Sequence, residues 1–285
     1  MQSHSLTFEA IGTEWSIEID VPFSKSLKNQ IKNRIEMFEK TYSRFRNDSL
    51  VSQIAKKPGI YTFPEDAVEL FEFYEELYDV TKGKVTPLIG GMLERAGYDA
   101  AYSFVTLPQT KLPALEETLE WSGNLLKVSQ PVTLDIGAAG KGYLVDLLCE
   151  LLDSEGIENY VVDASGDLRH KGKFENRVGL EDPRNPGSVI GAIDVVNKSL
   201  CASAINRRRW GDDQHHIFDP DTMKPTKDIL ATWVIADTAM IADGIATSLF
   251  FADPNVIRKK FSFEFLRMHA NGAIDYSPAF EGRLF

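Results

Sequence analysis

The segment Asp135-Ile-Gly-Ala-Ala-Gly-Lys141-Gly-Tyr143 constrains the fold of this 285-residue chain more than any other. It reads as a glycine-rich turn between a strand and a helix. The helix is expected at about 140–154 (GKGYLVDLLCELLDS) and ends at Gly156; a strand follows through Tyr160-Val161-Val162. Strand, helix and strand in that order suggest a βαβ-like unit. Glycines let the backbone approach a ligand, N–H groups at a helix start favour an anion, and Lys141 adds positive charge within the first turn. A phosphate-bearing ligand fits that description, and so does a merely tight turn. The spacing is neither G-x-x-x-x-G-K-[ST] nor G-x-G-x-x-G, so neither common nucleotide fingerprint applies.

The flanking sequence supplies the rest of an α/β or α+β fold. Residues 6–20 alternate around Gly12 as two strands, and 25–42 carries Leu27, Ile31, Ile35 and Phe38 at helical spacing. A second helix is expected over 64–82 and a hairpin over 120–135 with Ser122-Gly123-Asn124 at its turn. Strands follow at 189–196 and 230–236, then a helix at about 238–251. No repeat, low-complexity stretch or linker divides the chain, so residues 1–285 are expected to form one continuous two-lobed domain.

Charge narrows the partners. Lys and Arg number 31 against 42 Asp and Glu, a net charge of -11, and the longest basic run is Arg207-Arg208-Arg209, which argues against a nucleic-acid partner. Such a run reads first as a solvated face, or as one near an anionic ligand. Cys149 and Cys201 sit in apolar stretches and read as buried small hydrophobes. No run approaches 18 apolar residues and the first twenty alternate, so the expectation is a cytoplasmic chain without a membrane segment, or an exported one if a leader lies outside the sequence given.

Two further segments carry candidate chemistry. In Thr238-Ala-Met-Ile-Ala-Asp243-Gly-Ile-Ala-Thr247, positions 243 and 247 share one helix face and offer two hard oxygen donors suited to Mg²⁺. The alternative is an Asp capping the helix start, with Thr247 bonding back to the preceding turn. His215-His216-Ile-Phe-Asp219-Pro220 places two histidines before a turn, where they suit metal binding, acid-base work or a structural role. Ser165-Gly166-Asp167 and Gly83-Lys84-Val85-Thr86-Pro87 read first as turns.

Taken together and in order, these segments resemble the ApbE family of FAD:protein FMN transferases. The matching pieces are Ala10-Ile-Gly-Thr13, Tyr42-Ser43-Arg-Phe45 with Ser49-Leu50, Gly83-Lys-Val-Thr-Pro87, 135–146 (DIGAAGKGYLVD), Val161-Val-Asp-Ala-Ser-Gly-Asp167, His216-Ile-Phe-Asp-Pro220 and Ala242-Asp-Gly-Ile-Ala-Thr247, spanning about residues 8–265. The resemblance implies an ApbE-like, T-fold-like pair of α/β lobes with the nucleotide in the cleft between them. It also implies Mg²⁺-dependent transfer of FMN from FAD to a Ser or Thr hydroxyl of a target flavoprotein, releasing AMP. By the same resemblance, Asp243, Thr247 and the Ala138 carbonyl are the metal ligands. Asp135, Lys141, Ile11, Gly83, Lys84, Val85 and Ile217 contact or line the FAD site; the sequence leaves the catalytic base open among Asp243, His216 and a metal-bound hydroxide. Asp219 would brace its own loop. Ser165-Gly166 replaces a Gly-Gly pair, Met223 a glycine and Ala246 an acidic residue of some members, and Glu94-Arg-Ala-Gly-Tyr98 stands where an aromatic Trp-Gly-Phe is usual. Two other functions share these residues: a Mg²⁺-dependent FAD diphosphatase giving FMN and AMP, and a non-catalytic FAD-binding module.

Overall fold

The computed structural model describes residues 3–211 and 214–285. Its spine is an eight-stranded sheet: β1 (His4–Ala10), β2 (Thr13–Ile19), β3 (Tyr160–Asp163), β4 (Asp167–Lys171), β5 (Ser199–Ala204), β6 (Ile229–Ala236), β7 (Glu264–His269) and β8 (Ile274–Tyr276). Sheet order follows chain order, and every neighbouring pair is antiparallel. Four helices of ten or more residues pack on it: α1 (Lys25–Tyr42), α2 (Ala67–Val80), α3 (Gly140–Ser154) and α4 (Ala239–Ser248).

Strand alternation separates two cores. Along β6, Val234 and Ala236 point into the core shared with all four helices. Ala231 and Trp233 point to the opposite face, against a three-stranded sheet of Asn176–Glu181, Val189–Val195 and Arg283–Leu284. Trp15, Ile17 and Ile19 on β2 are fully buried on the helical side, each contributing roughly 1.5–3 kcal/mol of burial.

The expected elements form where periodicity was strong, but two expectations fail. The strand preceding the glycine-rich segment, Leu125–Val128, belongs to a separate three-stranded sheet with Gly59–Thr62 and Leu119–Ser122, while β3 lies in the main sheet. No βαβ unit therefore exists there. The expected hairpin forms between Leu119–Ser122 and Leu125–Val128, but its second strand stops there: residues 129–135 are irregular, and the Asp135 N–H bonds the Pro87 carbonyl (2.8 Å).

Candidate functional site: a nucleotide-sized cleft

Three tight turns deliver backbone to one cleft. The β1–β2 hairpin turns on Ile11 (φ 43°) and Gly12 (φ 78°), both in the left-handed region that a two-residue hairpin of this hand requires. Ser165 (φ 55°) and Gly166 (φ 110°) make the same demand between β3 and β4, which explains why a Gly-Gly pair is natural there. The third turn is the glycine-rich segment itself. Asp135 Oδ1 accepts the Gly137 N–H (2.7 Å), and a Cβ at 137 would lie 2.7 Å from that oxygen. Asp135 Oδ2 accepts Arg44 Nε–H at 2.6 Å. Both carboxylate oxygens thus hold the turn in shape.

α3 then starts directly against α4. A Cβ on Gly142 would meet the Ala239 carbonyl at 2.1 Å, so only glycine permits the approach. Through it the Gly142 N–H donates to Asp243 Oδ2 at 2.9 Å. Asp243 does not cap its helix. Thr238 and the α3 carboxylate of Asp146 do, with Asp146 accepting the Ala239 and Met240 N–H groups at 3.0 and 2.8 Å. Thr232 on β6 donates to the Ala246 carbonyl (2.7 Å) and anchors the middle of α4 to the sheet.

The result gathers three oxygens of different kinds. Thr247 Oγ1 lies 3.4 Å from the Ala138 carbonyl, one helical turn beyond the Asp243 carboxylate. Burial first, and then the nearby Asp167 charge, push Asp243 well above the usual carboxylate range; Lys141 and the Gly142 N–H act the other way. A hard divalent cation would relieve that cost, and carboxylate, hydroxyl and carbonyl donors suit Mg²⁺. Among the described residues no three His, Cys, Asp or Glu side chains gather into a metal cluster, so a cation here depends on this mixed set.

Ile11, Lys84, Val85, Asp135, Ala138, Lys141, His216, Ile217, Asp243 and Thr247 all line one cavity of about 660 Å³. Gly83 stands just behind the wall, where φ 84° and an N–H bond to the Tyr78 carbonyl (2.8 Å) end α2. Lys84 Nζ is tied to Asp219 Oδ1 (2.6 Å) and Asp221 Oδ2 (2.7 Å), so Asp219 braces Lys84 as well as its own loop through the Asp221 N–H. Lys141 Nζ lies 3.1 Å from the Ala164 carbonyl and 3.0 Å from Asp167 Oδ2, the latter an ion pair without hydrogen-bond geometry. His216 is half-buried with Nδ1 fully enclosed and unpartnered. Burial, then the Arg208 charge, hold it well below the usual imidazole range, so the ring is neutral at neutral pH.

The sequence reading missed four cleft features. Asp167, fully buried, is a structural partner of Lys141 rather than a turn residue. Arg44, 6% exposed, fixes Asp135 and also donates to the Tyr98 carbonyl (2.8 Å). Phe45, Tyr98, Tyr102 and Trp210 form an aromatic group beside it, with Phe45 stacked on Tyr102 and Tyr98 on Trp210. Phe45, Tyr98 and Tyr102 of this group line the cleft, although the usual Trp-Gly-Phe is absent. Arg208 completes the set. For Arg44 the signal was a lone Arg next to an aromatic, Ser43-Arg44-Phe45; for Arg208 it was the basic run, whose alternative reading placed it near an anionic ligand.

The strand-ordered antiparallel sheet carries one cleft lined by hard-oxygen donors and by aromatic rings. The chain belongs to the ApbE family, whose model matches residues 11–264. It is similar to the FAD:protein FMN transferases of Vibrio cholerae (28% identical over 267 residues, covering 86% of this chain and 80% of that one) and Klebsiella pneumoniae (23% over 271 residues, 86% and 77%). Among solved structures it resembles the ApbE protein of Thermotoga maritima (TM-score 0.86, 23% identity) and the flavin transferase ApbE of Vibrio cholerae (0.79, 21%), each over 98% of both chains. These two structural matches establish a common fold.

Proposed function

We infer that this protein transfers FMN from FAD to a target protein. The observation that carries the reading is the convergence of the Asp243, Thr247 and Ala138 oxygens with His216 in one aromatic-walled cleft. Relatives bearing the name FAD:protein FMN transferase along most of this chain support it. The acceptor in this reading is a Ser or Thr hydroxyl.

The hydroxyl oxygen forms a bond to the FMN-side phosphorus of FAD. The bridging P–O bond breaks, and its electron pair leaves with AMP. His216 is suited to take the hydroxyl proton because its ring is neutral, and the negative charge of a bound dinucleotide would offset the Arg208 charge that depresses its basicity. Arg44 and Asp135 hold the glycine-rich turn rigid, so the chain's donors meet the phosphates without rearranging. Asp243, Thr247 and the Ala138 carbonyl would hold Mg²⁺, which when bound draws charge from the diphosphate and improves AMP as a leaving group.

Incubation with FAD, Mg²⁺ and a candidate acceptor protein, followed by intact-mass measurement of the acceptor, tests the reading. An acceptor gaining one FMN with one AMP released is expected. Free FMN with an unmodified acceptor would mark a diphosphatase, and FAD recovered intact would mark a binding module.

A further inference from the structure

Among the described residues, the basic side chains of the cleft are matched, with one exception. Lys141 faces Asp167, Lys84 faces Asp219 and Asp221, Arg44 faces Asp135, and Arg46 is shared by Glu36, Glu39 and Asp48. In the Arg207-Arg208-Arg209 run, Arg207 is exposed and pairs with Glu181 outside this group. The next residue, Arg208, is half-buried in the cavity wall, and its guanidinium has no ion-pair or hydrogen-bond partner among the described residues.

A guanidinium in that position is costly to leave idle. It gives up part of its hydration to the wall and receives no carboxylate in return among the described residues. Its surroundings indicate what it meets. Arg208 lines the same cavity as His216, the Asp243–Thr247 oxygens and the Phe45, Tyr98 and Tyr102 rings, and its charge acts on His216, Asp243 and Tyr98. A dinucleotide with its ring on the aromatic residues and its leaving nucleotide beyond would present its phosphates to this same region. The paired cations contribute little net charge, since each brings its own anion. A planar five-donor fork suits phosphate oxygens better than an ammonium does.

We propose that Arg208 grips the diphosphate of the bound dinucleotide, opposite the Asp243–Thr247 oxygens, while Lys141 is a cation already neutralised by Asp167. The proposal rests on the reading that the cleft takes FAD. It assigns the one positive charge of the cleft that is unmatched among the described residues to the anionic part of the substrate, and it makes the middle residue of the basic run a substrate contact rather than a solvated face.

Flavin fluorescence titrations of the full chain with FAD and with riboflavin, which has the same ring and no phosphate, separate a phosphate contact from a general change in the cleft. Arg208→Ala is expected to raise the Kd for FAD at least about tenfold, the loss of a charge-assisted hydrogen bond. Riboflavin affinity and the melting temperature stay unchanged. Arg208→Lys recovers part of the FAD affinity, because it keeps the charge and loses the fork. Added salt weakens FAD binding by the wild type more than by Arg208→Ala. Equal loss for FAD and riboflavin, or an unchanged Kd for FAD, would overturn the assignment. A wild type that binds FAD but places no FMN on protein would refute the transferase reading and leave these titrations decisive; normal transfer together with unaltered FAD binding in Arg208→Ala would sink Arg208 alone.

Discussion

The two sides of the cleft are built on opposite principles. On the glycine-rich side, each charged group has an ionic or backbone partner within the protein: Asp135 has Arg44 and Gly137, Lys141 has Asp167, Asp243 has the Gly142 N–H and Asp146 the start of α4, although Arg44 Nη2 and Asp167 Oδ2 make no hydrogen bond. On the side that carries Arg208 and His216, these two side chains keep bonding capacity unused among the described residues. His216 Nδ1 has no partner, Arg208 has no counter-ion among the described residues, and Met223 holds a left-handed φ of 55° that most non-glycine residues avoid. The first side is organised before any ligand arrives, and the second keeps donors and acceptors for the ligand. Substitutions should therefore cost stability on the first and, at Arg208 and His216, binding or turnover on the second, with Asp243 the exception on the first side because its burial is unfavourable to the fold.

The largest effect is expected at that exception. Asp243→Ala should lower AMP release by about 10³-fold or more, the several kcal/mol that a metal-binding carboxylate supplies to a phosphoryl transition state. Its circular dichroism should match the wild type. Full turnover would remove Asp243 from the chemistry.

Next comes Arg44→Ala on the matched side. It strands the Asp135 carboxylate, whose side chain is 12% exposed, beside a rigid turn. Loss of one partner of such a pair costs roughly 3–5 kcal/mol, readable as a lower urea midpoint. A change below about 1 kcal/mol would place this pair with ordinary surface bridges.

A smaller effect follows from histidine titration. Burial, the leading cause at each, lowers the pKa of His170, His215 and His216 in the folded chain. Each then binds more protons unfolded than folded, so stability is intact above the unfolded value near 6.5 and falls as pH drops below it. Urea melts at pH 7.5 and 5.5 should show lower stability at 5.5, and His170→Gln should shrink that difference. For the same reason, turnover by the neutral His216 should show no acid limb centred at 6.5.

The smallest is Met223→Gly. It removes left-handed strain and adds unfolded-chain entropy, two terms of about 1 kcal/mol each and opposite sign. The melting temperature should shift by only a degree or two, with turnover unchanged. A large loss would mean that the Met223 side chain, packed beside Met92, Leu93 and Trp210, matters more than its backbone.

Much of this was legible in the residues. Amphipathic spacing fixed α1 through Leu27, Ile31 and Phe38, and the i, i+4 relation put Asp243 and Thr247 on one face. What failed was pairing over distance. The segment before α3 has no partner strand in the main sheet, and nothing local announces that the sheet runs in chain order with long excursions between its strands. Arg44 and Asp135 are separated by 91 residues, Lys84 and Asp219 by 135.

Sequence alone determined the short-range physics: turns that need glycine or a left-handed residue at 12, 137 and 166, helices set by apolar period, and an acidic chain poor in basic runs. Only the tertiary structure decided which charges are satisfied. Whether a cation serves the fold or the ligand depends on which carboxylate stands within about 3–4 Å, where the Coulomb energy is large. Lys141 and Arg208 look alike as letters; Asp167 beside one, and no described carboxylate beside the other, separates their roles.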